Sequence, residues 1–173
     1  MSTLVVYASK TGNTEKVARR IYDAVSDPDK TLVSLSDYDH RCTADTVYVG
    51  FWNNRGTCCV EVMDLLSELS GKRIALFGTC GMGDLGGYYD AVRGAVSAWI
   101  PEDSEYLGCF LCQGKMPFSI RDRYESMRDR TNYEKVDALI DNFEEALLHP
   151  DEEDLKRAEE FVIQIESAAH PAG

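Results

Sequence analysis

The sequence lacks any apolar run long enough to span a membrane, and its first residues, Met-Ser-Thr, lead straight into a short apolar segment. A spanning helix needs about 20 consecutive apolar residues, and a signal peptide needs an apolar core behind basic residues. Because neither pattern is present, the sequence predicts a cytoplasmic protein. Prolines are also few, 5 in 173 residues, and 44% of the residues are hydrophobic, so the composition predicts a folded globular chain.

Basic residues are scarce. The chain has 18 lysines and arginines against 30 aspartates and glutamates, which gives a net charge of −12 and a pI near 4.6. Such a surface repels nucleic-acid phosphates, so nucleic acid is not an expected partner, and without a spanning segment neither is a membrane. An acidic surface can also steer a small protein towards a basic patch on a partner protein.

Candidate metal ligands are sparse and badly spaced. The three histidines, His40, His149 and His170, lie away from the ends of the predicted strands, so no catalytic residue is assigned. Cys109-Phe-Leu-Cys112 has the spacing of a metal or redox pair, but it lies in an apolar strand-like run, where residues three apart face opposite sides. With no second pair and no nearby histidine, the six cysteines are predicted to be reduced thiols, and no metal site is predicted.

The most informative segment that is present is Ser9-Lys10-Thr11-Gly12-Asn13-Thr14, directly after the apolar run Leu4–Ala8. A short strand is predicted to end there and a helix to begin near Thr14. Hydroxyl groups, an amide and backbone N–H groups around a glycine suit a phosphate monoester, and the helix N-terminus adds partial positive charge. An ordinary turn capped by Thr14 or Asn13 needs only one such residue. Lys10 precedes Thr11-Gly12, so it cannot act as the lysine of a nucleoside-triphosphate P-loop.

Apolar and helical patterns alternate along the rest of the chain. Five strands are predicted, at residues 3–8, 32–35, 46–51, 73–78 and 106–112. Helical periodicity lies between them, at residues 14–26, 58–69 and 87–99, and again from Thr131. The predicted fold is α/β, with a parallel sheet covered by helices on both faces and the weak second strand at one edge.

Two segments exceed this minimal pattern. Residues 113–131 form a polar insertion whose arginines are interleaved with acids and are predicted to pair with them, with docking by this segment as the alternative. After a first domain at residues 1–148, residues 149–173 are predicted to be a C-terminal extension with an amphipathic helix at 151–168. Its apolar stripe is expected to pack on the chain's own surface, with dimerisation or partner binding as the alternative.

The segment after the first strand resembles the FMN phosphate loop of the flavodoxin family, Ser/Thr-x-Thr-Gly-x-Thr, at Ser9, Thr11, Gly12 and Thr14. The resemblance implies a doubly wound, three-layer α/β/α sheet of strand order 2-1-3-4-5, with FMN held where the order reverses between strands one and three. It also implies an electron carrier, a monomer or weak dimer, that docks a redox partner at the flavin edge. Lys10 and Asn13 complete the predicted phosphate loop.

The resemblance also assigns two loops to the flavin ring. After the third strand it implies an indole stacked on the ring by Trp52, polar contacts from Asn53 and Asn54, and a peptide flip at Gly56. Arg55 departs from the acidic loop expected there, and a cation near the reduced flavin would raise its potential. The contacts predicted after the fourth strand are Thr79, Cys80, Gly81, Met82, Gly83 and Tyr88.

The second ring loop also contains the dinucleotide spacing Gly-x-Gly-x-x-Gly, at Gly81, Gly83 and Gly86. A dinucleotide site belongs on the first strand of a Rossmann unit with an acidic residue ending the next strand, and here the next strand ends Cys112-Gln113. A flavin loop is therefore predicted instead. The ring would be covered by Tyr88 or, as the alternative, by Tyr89.

Short segments narrow the resemblance. Three segments are similar to those of flavodoxin-like proteins that accompany anaerobic tetrapyrrole (bilirubin) reductases: Gly50-Phe-Trp52, Ala75-Leu-Phe-Gly-Thr79 and Phe110-Leu-Cys-Gln-Gly114. This similarity implies a partner reductase containing flavin or iron–sulfur centres.

The alternative function is an FMN-dependent reductase of a quinone or another small oxidant that uses NAD(P)H. A phosphoacceptor signalling domain needs paired acids after strand one and an aspartate ending strand three. Because the chain has Ser9-Lys10 and Phe51-Trp52 at those places, that function is rejected.

Overall fold

The computed structural model describes residues 1–169, so His170 and the rest of the tail lie outside the described residues. The strands are β1 (Thr3–Tyr7), β2 (Lys30–Ser34), β3 (Thr46–Trp52), β4 (Arg73–Cys80) and β5 (Glu105–Gln113). The helices are α1 (Asn13–Ala24), α2 (Val60–Glu68), α3 (Tyr88–Ser97), α4 (Phe118–Ser126), α5 (Tyr133–Ala146) and α6 (Glu152–Ala169), and a 3₁₀ turn covers Leu35–Asp37.

The five strands pair in parallel in one sheet of order β2-β1-β3-β4-β5, which confirms the predicted α/β fold and strand order. Residues of β1 and β3 are buried almost throughout, whereas β2 is only partly buried, as predicted for an edge strand. The strand order reverses between β1 and β3, so their carboxyl ends open a crevice at that point. Across residues 1–169, no helix combines the length and the apolar character needed to cross a bilayer.

Helices cover both faces of the sheet. On the first face α2 and α3 pack against the sheet, and the cluster there contains Val62, Leu66, Val92 and Val96. On the second face α1 and α6 do so, with Val17, Ile21, Leu155 and Val162. Cys109 packs on the first face and Cys112 on the second, so the two thiols of the CxxC sequence are separated by the sheet, as strand periodicity predicts.

Helix α6 belongs to the second face. Its apolar stripe is buried in the same cluster as α1, and Arg20 of α1 forms ion pairs with Glu152 at 3.1 Å and with Glu159 at 3.6 Å. The predicted packing of this helix on the chain's own surface is therefore confirmed. The described part of the extension at 149–173 shares a hydrophobic cluster with the domain that precedes it.

Val162→Ala is expected to lower the free energy of unfolding by about 1.5–2.5 kcal/mol, because two carbon atoms are removed from an enclosed site. Val162 is 0% exposed, whereas its neighbour Ile163 is 53% exposed. The control variant Ile163→Ala should therefore change stability by less than about 0.5 kcal/mol. Chemical denaturation measures both values, and equal effects would contradict the packing of α6 on the sheet.

The insertion at 113–131 contains a helix, α4, that the sequence did not predict. α4 has no buried residue, so it carries no apolar stripe to reveal it. It packs on α5, where the Phe118 and Phe143 rings lie 5.5 Å apart edge to face. Within the segment, Arg121 and Arg128 pair with Glu125 at 3.3 and 3.9 Å, so the predicted self-pairing is confirmed for these two arginines. The same two arginines also pair with Glu144 and Asp137 of α5.

The segment between α5 and α6 fixes the start of the last helix. His149 Nδ1 lies 2.5 Å from Asp154 Oδ2, and the backbone oxygen of His149 accepts a hydrogen bond from Lys115 N at 3.1 Å. Asp151 and Asp154 each accept a hydrogen bond from the backbone N–H of the other, which caps the N-terminus of α6. These side chains therefore stabilise a helix end.

The His149 contacts predict a pH-dependent stability. Burial lowers the pKa of His149, but hydrogen bonds to Asp154 and Glu145 outweigh it and raise the pKa above its usual value. The resulting stabilisation is complete below the unfolded-state pKa of about 6.5 and is lost as the pH rises through the higher folded-state pKa. The Tm of His149→Gln should therefore fall less steeply with rising pH than that of the wild type. Identical profiles of Tm against pH would contradict this role.

Candidate cofactor-binding site

The loop between β1 and α1 caps the N-terminus of the helix only in part. Ser9 Oγ accepts hydrogen bonds from the N–H groups of Gly12 and Glu15, at 3.1 and 3.3 Å. Gly12 precedes the helix with a φ of 89°, which favours glycine, and it contributes no side-chain cap. A Cβ at Gly12 would meet no atom within 4 Å. Ser9 takes up the N–H groups of Gly12 and Glu15, and the first two N–H groups of α1, those of Asn13 and Thr14, have no acceptor in their own helix. These two groups could bind an anion.

Asn13 supports the loop with its side chain. The residue is buried, and its Nδ2 donates to the backbone oxygen of Lys115 at 2.8 Å and to Thr11 Oγ1 at 3.2 Å. Both side-chain N–H groups are therefore directed to protein oxygens. Since Lys115 follows β5, the loop after β5 fixes the position of the loop after β1.

Thr14 and Thr79 meet beneath this loop. Thr14 Oγ1 lies 2.9 Å from Thr79 Oγ1 and 3.4 Å from the backbone oxygen of Phe51, and both threonines are buried. The two hydroxyls therefore tie the start of α1 to the ends of β3 and β4. Thr11 and Lys10, by contrast, are exposed. Among the hydroxyls predicted to bind phosphate, that of Thr11 belongs to an exposed residue and accepts from Asn13 Nδ2, whereas that of Thr14 is directed to β3 and β4.

The loop after β3 is a tight turn. Asn54 N donates to Thr57 O at 2.6 Å, and Arg55 and Gly56 have φ values of 54° and 94°. Two successive positive φ values define a type I′ turn. Gly56 N donates to Asn53 Oδ1 at 2.9 Å. The peptide flip at Gly56 stays a prediction, and a flip of the Arg55–Gly56 peptide would break this hydrogen bond.

One hydrogen bond joins the two predicted ring loops. Asn53 Nδ2 donates to the Tyr88 hydroxyl at 2.7 Å, and Tyr88 is only partly buried. Tyr89 is 7% exposed and belongs to the hydrophobic core, where burial raises the pKa of its hydroxyl well above the usual value. Of the two tyrosines weighed from the sequence, Tyr88 is the one that the structure brings to Asn53 and the loop after β3.

Sequence reasoning missed two residues that hold the loop after β4. Asn142 of α5 accepts a hydrogen bond from Gly83 N and donates one to Gly81 O, both at 3.0 Å, and its Nδ2 lies 3.4 Å from Met82 Sδ. Gln113, at the end of β5, donates to Gly81 O at 3.1 Å. In the sequence, Asn142 is an amide residue beside the apolar face of a predicted helix, and Gln113 is an amide residue at the end of an apolar strand. Those positions were the only sequence features that could have pointed to them.

Asn142→Ala should release the loop after β4, because Gly83 N loses its acceptor and Gly81 O loses one of its donors. We expect the free energy of unfolding to fall by about 1–2 kcal/mol. Hydrogen exchange of the Gly83 amide should become faster, and Asp141→Ala, at the exposed neighbouring position, should leave it unchanged. If Gly83 exchanged at the same rate in both variants, Asn142 would not be holding the loop.

Two further predicted residues define the charge at this edge. Lys10 Nζ lies 5.2 Å from the centroid of the Trp52 ring, so a cation faces the indole. Cys80 is 1% exposed, and burial raises the pKa of its thiol to about 12. At neutral pH Cys80 is therefore an uncharged thiol. The whole arrangement suits a ligand that carries a phosphate at one end and a flat ring with polar edges at the other.

Comparison with known proteins gives the same assignment. A family model described as a flavodoxin domain matches residues 4–163. The flavodoxin-like domain-containing protein BilS of Clostridioides difficile (strain CD3) is 36% identical over 166 residues, which covers 93% of this chain and 94% of the relative.

Solved structures share the fold. Oxidised flavodoxin 2 from Bacillus cereus matches with a TM-score of 0.64 at 19% identity, and the alignment covers 97% of this chain and 99% of the flavodoxin chain. A flavoprotein from Lactobacillus acidophilus in complex with FMN matches with a TM-score of 0.50 at 17% identity, and the alignment covers 72% of this chain and 98% of the flavoprotein chain. With its strand order, its loop after β1 and these matches together, the chain belongs to the flavodoxin family.

Proposed function

We propose that this chain binds FMN at the carboxyl edge of the sheet and carries electrons to a partner redox protein. FMN is the flavodoxin cofactor and is bound where the strand order reverses between β1 and β3. The observation that carries the proposal is the partly uncapped N-terminus of α1 at that point, next to two loops joined by the hydrogen bond from Asn53 to Tyr88. FMN, when bound, supplies the electron-transfer chemistry.

The phosphate is proposed to lie on the loop Ser9–Thr14. Backbone N–H groups at the start of α1 and the Thr11 hydroxyl would donate to it, while Ser9 holds the loop's shape through Gly12 N. Thr14 and Asn13 act from behind the loop, through Thr79 and Lys115. This division of roles makes the loop rigid before any ligand arrives, which lowers the entropic cost of binding.

The ring is proposed to lie between the loops after β3 and β4. Trp52 would face the isoalloxazine, with Tyr88 on the side of β4, and Asn54, Gly56 and the backbone of Gly81–Gly83 would meet its polar edge. Asn142 fixes that backbone by accepting a hydrogen bond from Gly83 N. Arg55 is exposed at the turn beside this site, so a positive charge stands close to the ring. We therefore expect a potential that is not extremely low.

The partner is proposed to be a reductase that contains a flavin or an iron–sulfur centre and presents a basic surface. The chain's net charge of −12 supports electrostatic steering towards such a surface. Docking at the exposed edge of the flavin would bring the two redox centres close together. Association should then weaken as the salt concentration rises, because screening shortens the range of charge attraction.

The test is anaerobic reduction of the FMN-loaded protein by dithionite, followed by its visible spectrum. An electron carrier should be reduced in two separated one-electron steps and should react slowly with NAD(P)H alone. A protein that takes up no FMN would overturn the proposal. Reduction by NAD(P)H in one two-electron step, followed by rapid oxidation by a quinone, would favour the alternative function of an FMN-dependent reductase.

A further inference from the structure

Trp52 stands at the carboxyl end of β3, where Lys10 contacts its ring from the β1 side. It ends β3, which lies between β1 and β4 in the sheet. From the β4 side, Tyr88 reaches the adjacent residue Asn53. From the β1 side, Lys10 places its ammonium 5.2 Å from the centroid of the indole ring. The indole thus has a cation over its ring, and the next residue, Asn53, is tied to the loop after β4.

The side facing β1 is open space. A cavity of about 670 Å³ lies there, bordered by the loop after β1, the 3₁₀ turn and α2, and both Lys10 and Trp52 line it. Within residues 1–169, no aromatic ring stacks on Trp52. The indole therefore has no ring behind it on this side, and Lys10 is the group that meets its face.

Lys10 contacts the indole although carboxylates lie nearby. Glu15, Glu61 and Asp64 border the same cavity, so carboxylates are available nearby. Glu15 pairs instead with Arg19 at 2.7 Å, and Lys10 forms no ion pair in the part of the chain that the structure describes. Its ammonium lies over the indole, where the negative face of the ring attracts a cation.

We propose that Lys10 is a positioning residue for the flavin ring: its ammonium holds the indole of Trp52 from the β1 side, so that the other face is presented to the isoalloxazine. The inference rests on the proposed FMN site. This role differs from the one that the place of Lys10 in the sequence suggests. Because Lys10 lies in the proposed phosphate loop, its charge would be expected to contact the phosphate. The two roles differ in one respect: a positioning role through Trp52 acts on any flavin, and a phosphate contact acts only on FMN.

Riboflavin, which has the same ring and no phosphate, separates the two roles. Lys10→Met keeps the length of the side chain and removes the charge, and it should raise the Kd of both FMN and riboflavin by a similar factor of about three- to tenfold. Lys10→Arg should restore both affinities, because guanidinium also stacks on indole. Lys135→Met, which removes an exposed lysine from α5, controls for the change in net charge.

A second readout needs no flavin. The chain has two tryptophans, so Trp99→Phe leaves Trp52 as the single indole. In that background, Lys10→Met should increase quenching of Trp52 fluorescence by acrylamide in the apoprotein, and Lys10→Arg should not. Loss of affinity for FMN alone, or unchanged quenching and affinity, would overturn the inference. A wild type that binds neither flavin would instead overturn the proposed function.

Discussion

Gly12→Asp should raise the Kd for FMN at least about 100-fold above that of Gly12→Asn, because a carboxylate would stand beside the phosphate dianion. The two replacements have the same shape, and asparagine and aspartate both tolerate a positive φ better than other side chains. Gly12 has open space around its Cβ position, so neither side chain meets another atom there, and the backbone strain at a φ of 89° is the same for both variants. The difference between the two variants therefore isolates charge at the N-terminus of α1.

Titration of the apoproteins with FMN and with riboflavin measures this difference. Riboflavin carries no phosphate, so its Kd should be nearly the same for Gly12→Asp and Gly12→Asn. Raising the salt concentration should narrow the gap for FMN, since exposed charges are screened. Equal FMN affinities in the two variants would show that the phosphate lies away from the N-terminus of α1.

Gly50→Ala should lower the free energy of unfolding by about 3 kcal/mol or more, at the upper end of the cost of overpacking. A Cβ at Gly50 would lie 2.4 Å from two atoms of the Phe77 ring and 2.8 Å from Tyr7 Cβ. Phe77 is 0% exposed and lies across from Gly50 on the next strand, so its ring has nowhere to move. Since domains are stable by about 5–15 kcal/mol in total, this single methyl group removes a large share.

Gly94→Ala is the matched control for the same chemical change. Gly94 lies within α3, and a Cβ there would meet no atom within 4 Å. Because alanine is the better helix former, this variant should gain about 0.5–1 kcal/mol. Urea denaturation of the two variants should therefore move the midpoint in opposite directions. A small loss in Gly50→Ala would show that β3 and β4 are packed less tightly at this point.

The candidate site could be proposed from the sequence because its signals are local. The hydroxyls, amide and glycine of Ser9–Thr14 are adjacent in sequence, and so are Trp52–Gly56 after β3. Parallel strands bring their carboxyl ends to one edge, so an apolar run followed by polar residues is enough to place each loop there. The capping of α6 by Asp151 and Asp154 is also a local feature, because the two residues that cap the helix are three positions apart.

Other features could not be predicted because they join distant residues. Asn142 meets Gly83 across 59 positions, and Asn13 meets Lys115 across 102. The helix α4 has no buried residue, and its ring contact with α5 is made by Phe118, which is itself exposed. Hydrogen bonds between residues this far apart produce no periodic pattern in the sequence, and neither does a helix without buried residues.

The sequence by itself determined the alternation of the five strands with helices along the chain, the net negative charge and the edge of the sheet at which phosphate binding is predicted. Those properties follow from apolar periodicity, net charge and residue types that act within a few positions. Only the tertiary structure decided that α6 completes the second face, that the Thr14 and Asn13 side chains are turned to protein partners and that Lys10 faces Trp52. The physical reason is that a side chain's hydrogen-bonding and electrostatic partners are chosen by three-dimensional proximity, which the chain acquires only when its sheet is closed on both faces.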